Sequence, residues 1–132
     1  MNRITLERVQ YLPRELASGI LYVSEGFAVA GHLCACGCGN KVITPLGPAE
    51  WTFTERKGRP TLHPSIGNWQ LPCRSHYVIA EGQICWGDQW SGAQVAAGRR
   101  AEEKRRQAYY ASRARRNLWQ RLWSWARKLF GL

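Results

Sequence analysis

Three cysteines fall within five residues in the run His32-Leu33-Cys34-Ala35-Cys36-Gly37-Cys38-Gly39, and another follows far along the chain in Cys73-Arg74-Ser75-His76. Thiolates this dense, with a remote Cys-x-x-His, have the composition of a transition-metal site. Zinc is the favoured ion, because it takes four thiolate or imidazole ligands tetrahedrally and brings no redox chemistry. Cys34, Cys36, Cys38, Cys73 and His76 offer more ligands than one ion needs. Two clustered cysteines with Cys73 and His76, or all four cysteines without the histidine, would each close a site. Alternate-position ligands are harder to wrap than a Cys-x-x-Cys knuckle, and Gly37 and Gly39 supply the backbone freedom. The competing reading, buried inert thiols, suits single cysteines better than three in five. Cys85, next to Trp86, reads as core. An ion clamping two remote loops would contribute folding free energy directly to a chain of 132 residues.

The odd count of five cysteines and the alternate spacing of three of them argue against a disulfide scaffold. Reduced thiols in a cytosol are the better reading. The opening Met1-Asn2-Arg3-Ile4-Thr5-Leu6-Glu7-Arg8 lacks the apolar stretch of a secretory signal, and no run approaches the length of a membrane span. A cytoplasmic protein, with peripheral membrane attachment through its tail as an option, is expected.

Short apolar runs separated by Gly and Pro predict strands over Ile20–Ser24, Phe27–Leu33, Lys41–Thr44 and Glu50–Thr54, and a hairpin from His76 to Trp86. Glu25-Gly26 is expected to be a tight turn. Residues 7–18 could form a helical turn or two, interrupted by Pro13. Leu62-His63-Pro64-Ser65-Ile66-Gly67 reads as a sharp loop. The expected fold is a small β-rich domain, all-β or α+β, stapled by zinc and carrying a C-terminal basic amphipathic helix. The expected boundaries are 1–90 for the domain, 91–98 for a linker or the start of the helix, and 99–132 for the helix.

Charge divides along the same line. Residues 1–97 hold 8 Lys/Arg and 7 Asp/Glu, whereas residues 98–132 hold 11 Lys/Arg and 2 Glu. The overall +10 is therefore a property of the tail. At 100° per residue Leu118, Leu122, Trp125, Leu129 and Leu132 fall on one line, widened by Trp119, Trp123, Ala126 and Phe130, with Arg116, Arg121, Arg127 and Lys128 opposite. Such a helix could dock on its own domain or in a partner's groove, or lie on a membrane surface. Binding nucleic acid through Arg99-Arg100 and Lys104-Arg105-Arg106 would leave the apolar face unexplained.

Catalytic groups are few. The histidines are His32, His63 and His76, and the serines of interest are Ser65 and Ser75. Adjacent Ser75 and His76 on one strand would face opposite ways, so they make poor partners. Ser65 with His76 or His32 is open, although each serine more often serves as a turn or surface hydroxyl. Glu50, Glu55, Glu81 and Asp88 show no acid/base spacing.

The segments His32–Gly39, Val42-Ile43-Thr44-Pro45-Leu46, Pro64-Ser65-Ile66-Gly67-Asn68-Trp69, Cys73-Arg74-Ser75-His76-Tyr77 and Ile84-Cys85-Trp86 together resemble a family of small bacterial proteins. Its genes lie beside E1-, E2- and ubiquitin-like genes in bacterial ubiquitination-like (Bub) operons. The likeness covers about residues 11–90 and leaves out the tail. It implies a zinc-containing domain that acts with a ubiquitin-like modifier as a serine-type peptidase, trimming or removing it. Carried over, Ser65 is the nucleophile and His76 the base. That role would free His76 from the metal and leave Cys34, Cys36, Cys38 and Cys73 as the structural zinc ligands. The alternative is a non-catalytic zinc adaptor that grips the modifier or its conjugating enzymes, tethered by the tail.

Overall fold

A computed structural model describes residues 2–131. Eight strands precede one helix: β1 Thr5–Arg8, β2 Ile20–Ser24, β3 Val29–Leu33, β4 Lys41–Pro45, β5 Thr52–Arg56, β6 Arg59–Gly67, β7 His76–Ala80, β8 Gln83–Trp86 and α1 Gly92–Phe130. The chain divides into a unit up to Gly92, which holds both sheets, and a unit from Ala93 onward, which holds α1. Residues 93–98, expected to be a linker or the start of the helix, are helical, and Gln94, Ala96 and Ala97 favour that state.

The strands form two four-stranded sheets in the orders β1-β2-β3-β4 and β5-β6-β7-β8. All neighbours run antiparallel except β1 and β2. Isolated bridges join the sheet edges at both ends, Arg3 to Gln83 and Leu46 to Trp51. The sheets share one core, with Ile4, Leu21, Val23 and Ala30 from the first meeting Leu62, Ile66, Tyr77, Ile79 and Ile84 from the second. At about 25 cal/mol per Å² of apolar surface, this shared burial is the main driving force of folding.

Two hairpins close on two-residue turns. Lys57 (φ 52°) and Gly58 (φ 75°) link the paired Arg56 and Arg59, and Glu81 (φ 48°) and Gly82 (φ 76°) link Ala80 and Gln83. Both central residues are left-handed, the geometry that matches the twist of paired strands, and glycine at the second position lowers its cost.

Several sequence expectations are corrected here. Residues 7–18 contain no helix. Thr5–Arg8 is a strand, and the segment after it folds across the first sheet, with Leu12 and Leu16 against Gly31. Two bonds fasten that segment: Ala17 N–H donates to Tyr22 Oη (3.1 Å), and Ser24 Oγ–H donates to the Gln10 carbonyl (2.7 Å). This cover explains why β2 is buried on both faces. The expected loop over 62–67 is part of the longest strand, β6, whose register with β7 shifts between Leu62 and Ile66. Pro60 and Pro64 hide that strand from a sequence reading; Pro64 falls within the irregularity, where a sheet tolerates proline. Cys85 is exposed rather than core, because the inward position of β8 belongs to Ile84.

Candidate functional site

The four cysteines from the two distant motifs meet. The Sγ atoms of Cys34, Cys36, Cys38 and Cys73 all lie within 4.8 Å of one another, and none is in a disulfide. Cys34, at the end of β3, starts a turn in which Gly37 N–H donates to the Cys34 carbonyl (3.1 Å). Cys34 N–H donates to the Asn40 carbonyl (2.8 Å), closing the base of the loop. Gly37 (φ 90°) and Gly39 (φ 82°) adopt conformations that side chains resist, which lets three alternate thiols turn inward.

The spacing fits an ion. Tetrahedral metal–sulfur bonds of about 2.3 Å place neighbouring sulfurs about 3.8 Å apart. The observed Sγ···Sγ distances are 3.4 Å for Cys34–Cys36 and 3.8 Å for both Cys34–Cys73 and Cys38–Cys73. Polar groups surround the sulfurs as they do around metal ligands. Ser75 Oγ lies 2.9 Å from Cys34 Sγ, Asn68 Nδ2 donates to Cys34 Sγ (3.5 Å), and Asn40 Nδ2 donates to Cys38 Sγ (3.2 Å). The Asn40 backbone and side-chain N–H groups hold the Cys38 thiol down to about 6. At Cys73 desolvation pushes upward but is outweighed by the Ser75 hydroxyl and N–H, which leave the thiol below its ordinary value. Cys38 and Cys73 thus favour the ionised form a metal takes, whereas burial first, then the Cys34 and Cys38 thiols, push Cys36 up to about 12. These four residues can hold a metal ion, and among the described residues they form the one such group.

His76 stands apart from this cluster. It opens β7 and turns to the face opposite Ser75. Its Nε2 lies 2.9 Å from Ser65 Oγ, and its Nδ1 lies 2.7 Å from the backbone carbonyl of Asp88. A carbonyl only accepts, so Nδ1 carries the proton and Nε2 presents its lone pair to the Ser65 hydroxyl. The imidazole packs against both Trp69 and Trp90, each 5.1 Å away centroid to centroid, and those two indoles stack on each other at 5.5 Å. Arg74 reaches across: its guanidinium lies 5.6 Å from the Trp69 ring and donates to the Trp90 carbonyl (3.2 Å). Residues 87–90 therefore fold back over the histidine, and Gly87 N–H donates to the His76 carbonyl (2.7 Å).

A buried polar hub adjoins the thiol cluster. Asn68, just past β6, donates to Ser75 Oγ (3.1 Å) as well as to Cys34, and its own N–H donates to the Ser75 carbonyl (2.8 Å). Tyr77 Oη lies 2.7 Å from His32 Nε2. Burial pushes the His32 imidazole down to about 4, so it is neutral and structural, and it is not near Ser65's partner position. Burial likewise raises Tyr77. His63 is exposed on β6.

Sequence reasoning singled out Ser65, His76 and the four cysteines, and the fold brings them together as one Ser–His pair and one thiol cluster. It missed the Asp88 carbonyl, Trp69, Trp90 and Asn68. A backbone carbonyl has no sequence signature. The signal for Asn68 and Trp69 was their place next to Gly67, and Trp90 carried none.

A small two-sheet β domain with a four-thiol centre and a separate Ser–His pair is the class these observations define. The family model described as bacterial ubiquitination-like system serine protease (BubE) matches residues 8–87. The chain belongs to this family. Asp88 and Trp90 lie just beyond the matched stretch. No curated protein and no solved structure matches the chain.

Proposed function

We propose that Ser65 and His76 are the nucleophile and general base of a peptidase that processes or removes a ubiquitin-like modifier, and that Cys34, Cys36, Cys38 and Cys73 hold a structural zinc. The observation that carries the catalytic reading is the relay from Ser65 Oγ through His76 to the Asp88 carbonyl, at 2.9 and 2.7 Å. The family description supplies the protease class and the ubiquitination-like system.

In this reading His76 Nε2 takes the Ser65 proton as Oγ attacks the carbonyl carbon after the modifier's C-terminus, and the positive charge on the ring is met by the Asp88 carbonyl. His76 then gives its proton to the departing amine, and a water activated by the same nitrogen releases the acyl group. The carbonyl fixes the tautomer as a carboxylate would but carries only a partial charge. Trp69 and Trp90 pack against the ring and hold its orientation. A zinc held by Cys34, Cys36, Cys38 and Cys73 would supply structural rather than catalytic chemistry, fixing the loops 34–40 and 68–75, the second of which leads into His76.

The test is covalent labelling of the full chain with a fluorophosphonate probe, located by peptide mass spectrometry. Labelling at Ser65 that is lost in Ser65→Ala and falls by about 10³-fold or more in His76→Ala supports the assignment. A Ser65→Ala protein that still cleaves a modifier fusion, or a protein that binds modifier but never labels, overturns it in favour of a binding module.

A further inference from the structure

The end of α1 carries an apolar face that the catalytic reading does not use. Along residues 116–130, Trp125, Leu118, Leu129, Leu122, Ala126, Trp119, Phe130 and Trp123 follow one another around the helix over an arc of about 160°. Its large side chains stand in the open: Trp119 is 71% exposed, Trp125 63% and Phe130 76%. Arg116, Asn117, Gln120, Arg121, Ser124, Arg127 and Lys128 fill the remaining arc, with no acid among them. At one border the Arg127 guanidinium lies 5.8 Å from the Trp123 ring.

Three properties of this face select its partner. The arc is too broad for a two-stranded coiled coil, whose seam is the narrow stripe of two positions in seven. Pairing with a second copy would also set eleven basic and two acidic side chains of residues 98–132 against the same set. A nucleic acid would satisfy the cations and leave three tryptophans and a phenylalanine in water. A surface that is anionic outside and apolar a few ångströms below satisfies both arcs at once. No helix among the described residues is long and apolar enough to cross a membrane, so the segment would lie in the interface rather than span it.

We propose that residues 116–130 form an interfacial anchor for an anionic phospholipid bilayer, with the Trp/Leu/Phe arc at the acyl boundary and the Arg/Lys arc among the headgroups. Each basic side chain at such a surface adds about fivefold to binding at low salt, and salt screens that share. The proposal does not depend on the catalytic reading.

The test is flotation of the full chain with vesicles of phosphatidylcholine and phosphatidylglycerol at 7:3, against vesicles of phosphatidylcholine alone. Binding to the anionic vesicles is expected, falling about 10-fold or more without phosphatidylglycerol or in 0.5 M salt. The double variant Leu122→Glu, Trp125→Glu should abolish it while residues 1–92 keep their thermal transition. No flotation with anionic vesicles overturns the proposal. So does flotation that the double variant leaves intact, because charge alone would then be the cause. A concentration-dependent dimer that the double variant dissociates, in a protein that does not float, overturns it in favour of self-association.

Discussion

Gly87→Ala tests the seat of His76 without replacing either proposed catalytic residue. A Cβ at residue 87 would stand 2.8 Å from His76 Nδ1, 3.1 Å from Cε1 and 3.3 Å from Cγ. Carbon–ring contacts become comfortable at about 3.5 Å, so the imidazole must retreat by roughly 0.7 Å. It has little freedom to do so, being packed against Trp69 and Trp90 and tied at both nitrogens. A shift of that size stretches one of the two bonds beyond the reach of about 3.2 Å. Misplacement on the 1 Å scale costs about 10²-fold in rate, and we expect labelling of Ser65 by a fluorophosphonate to slow about 10- to 100-fold, equivalent to about 1.4–2.7 kcal/mol. Gly87 is not left-handed, so alanine adds no backbone strain, and the effect isolates the collision. Gly26→Ala, in open space and with ordinary backbone, is the control and should label at the native rate. A Gly87→Ala protein with native labelling rate and native Tm would refute the claim that residues 87–90 seat the histidine.

Three other perturbations probe the same framework. Native mass spectrometry should find one zinc per chain, and Cys34→Ser should lose it and lower Tm by about 10 °C, the effect of roughly 2 kcal/mol in a domain of this size; a metal-free native protein with the same Tm as the variant would contradict the zinc assignment. Tyr77→Phe removes a buried hydroxyl within 2.7 Å of His32 Nε2 and 3.4 Å of Ala35 N, and should cost about 1–3 kcal/mol in urea unfolding; no change would mean that the hub is not stabilising. Because His32 stays neutral in the fold down to about 4 while an unfolded histidine protonates near about 6.5, the unfolded state binds the extra proton between those values. Stability is therefore fully present above about 6.5 and falls by up to about 3 kcal/mol as pH drops to about 4. His32→Gln should flatten that slope by up to one proton, and equal slopes in the two proteins would rule the effect out.

Apolar runs and turn residues act on their chain neighbours, so the strands at Ile20–Ser24, Lys41–Pro45 and His76–Ala80, and the long basic helix, were legible without the fold. So were the excess of thiols and the divergence of Ser75 from His76, since strand alternation alone sends adjacent side chains to opposite faces. The polar strand Thr5–Arg8 was not legible, because it owes its existence to pairing with Ile20–Val23. Neither was Arg59–Gly67, in which Pro64 sits where the pairing with β7 slips between Leu62 and Ile66. Sequence composition could offer five candidate ligands but could not choose among them. That choice fell to the β6–β7 register, which pairs Gly67 with His76 and so sets the imidazole at Ser65 while Cys73 and Ser75 turn to Cys34. Local propensity cannot encode contacts between residues 34 and 73, or 76 and 88. Only the closure of two sheets on one core brings those atoms within bonding distance.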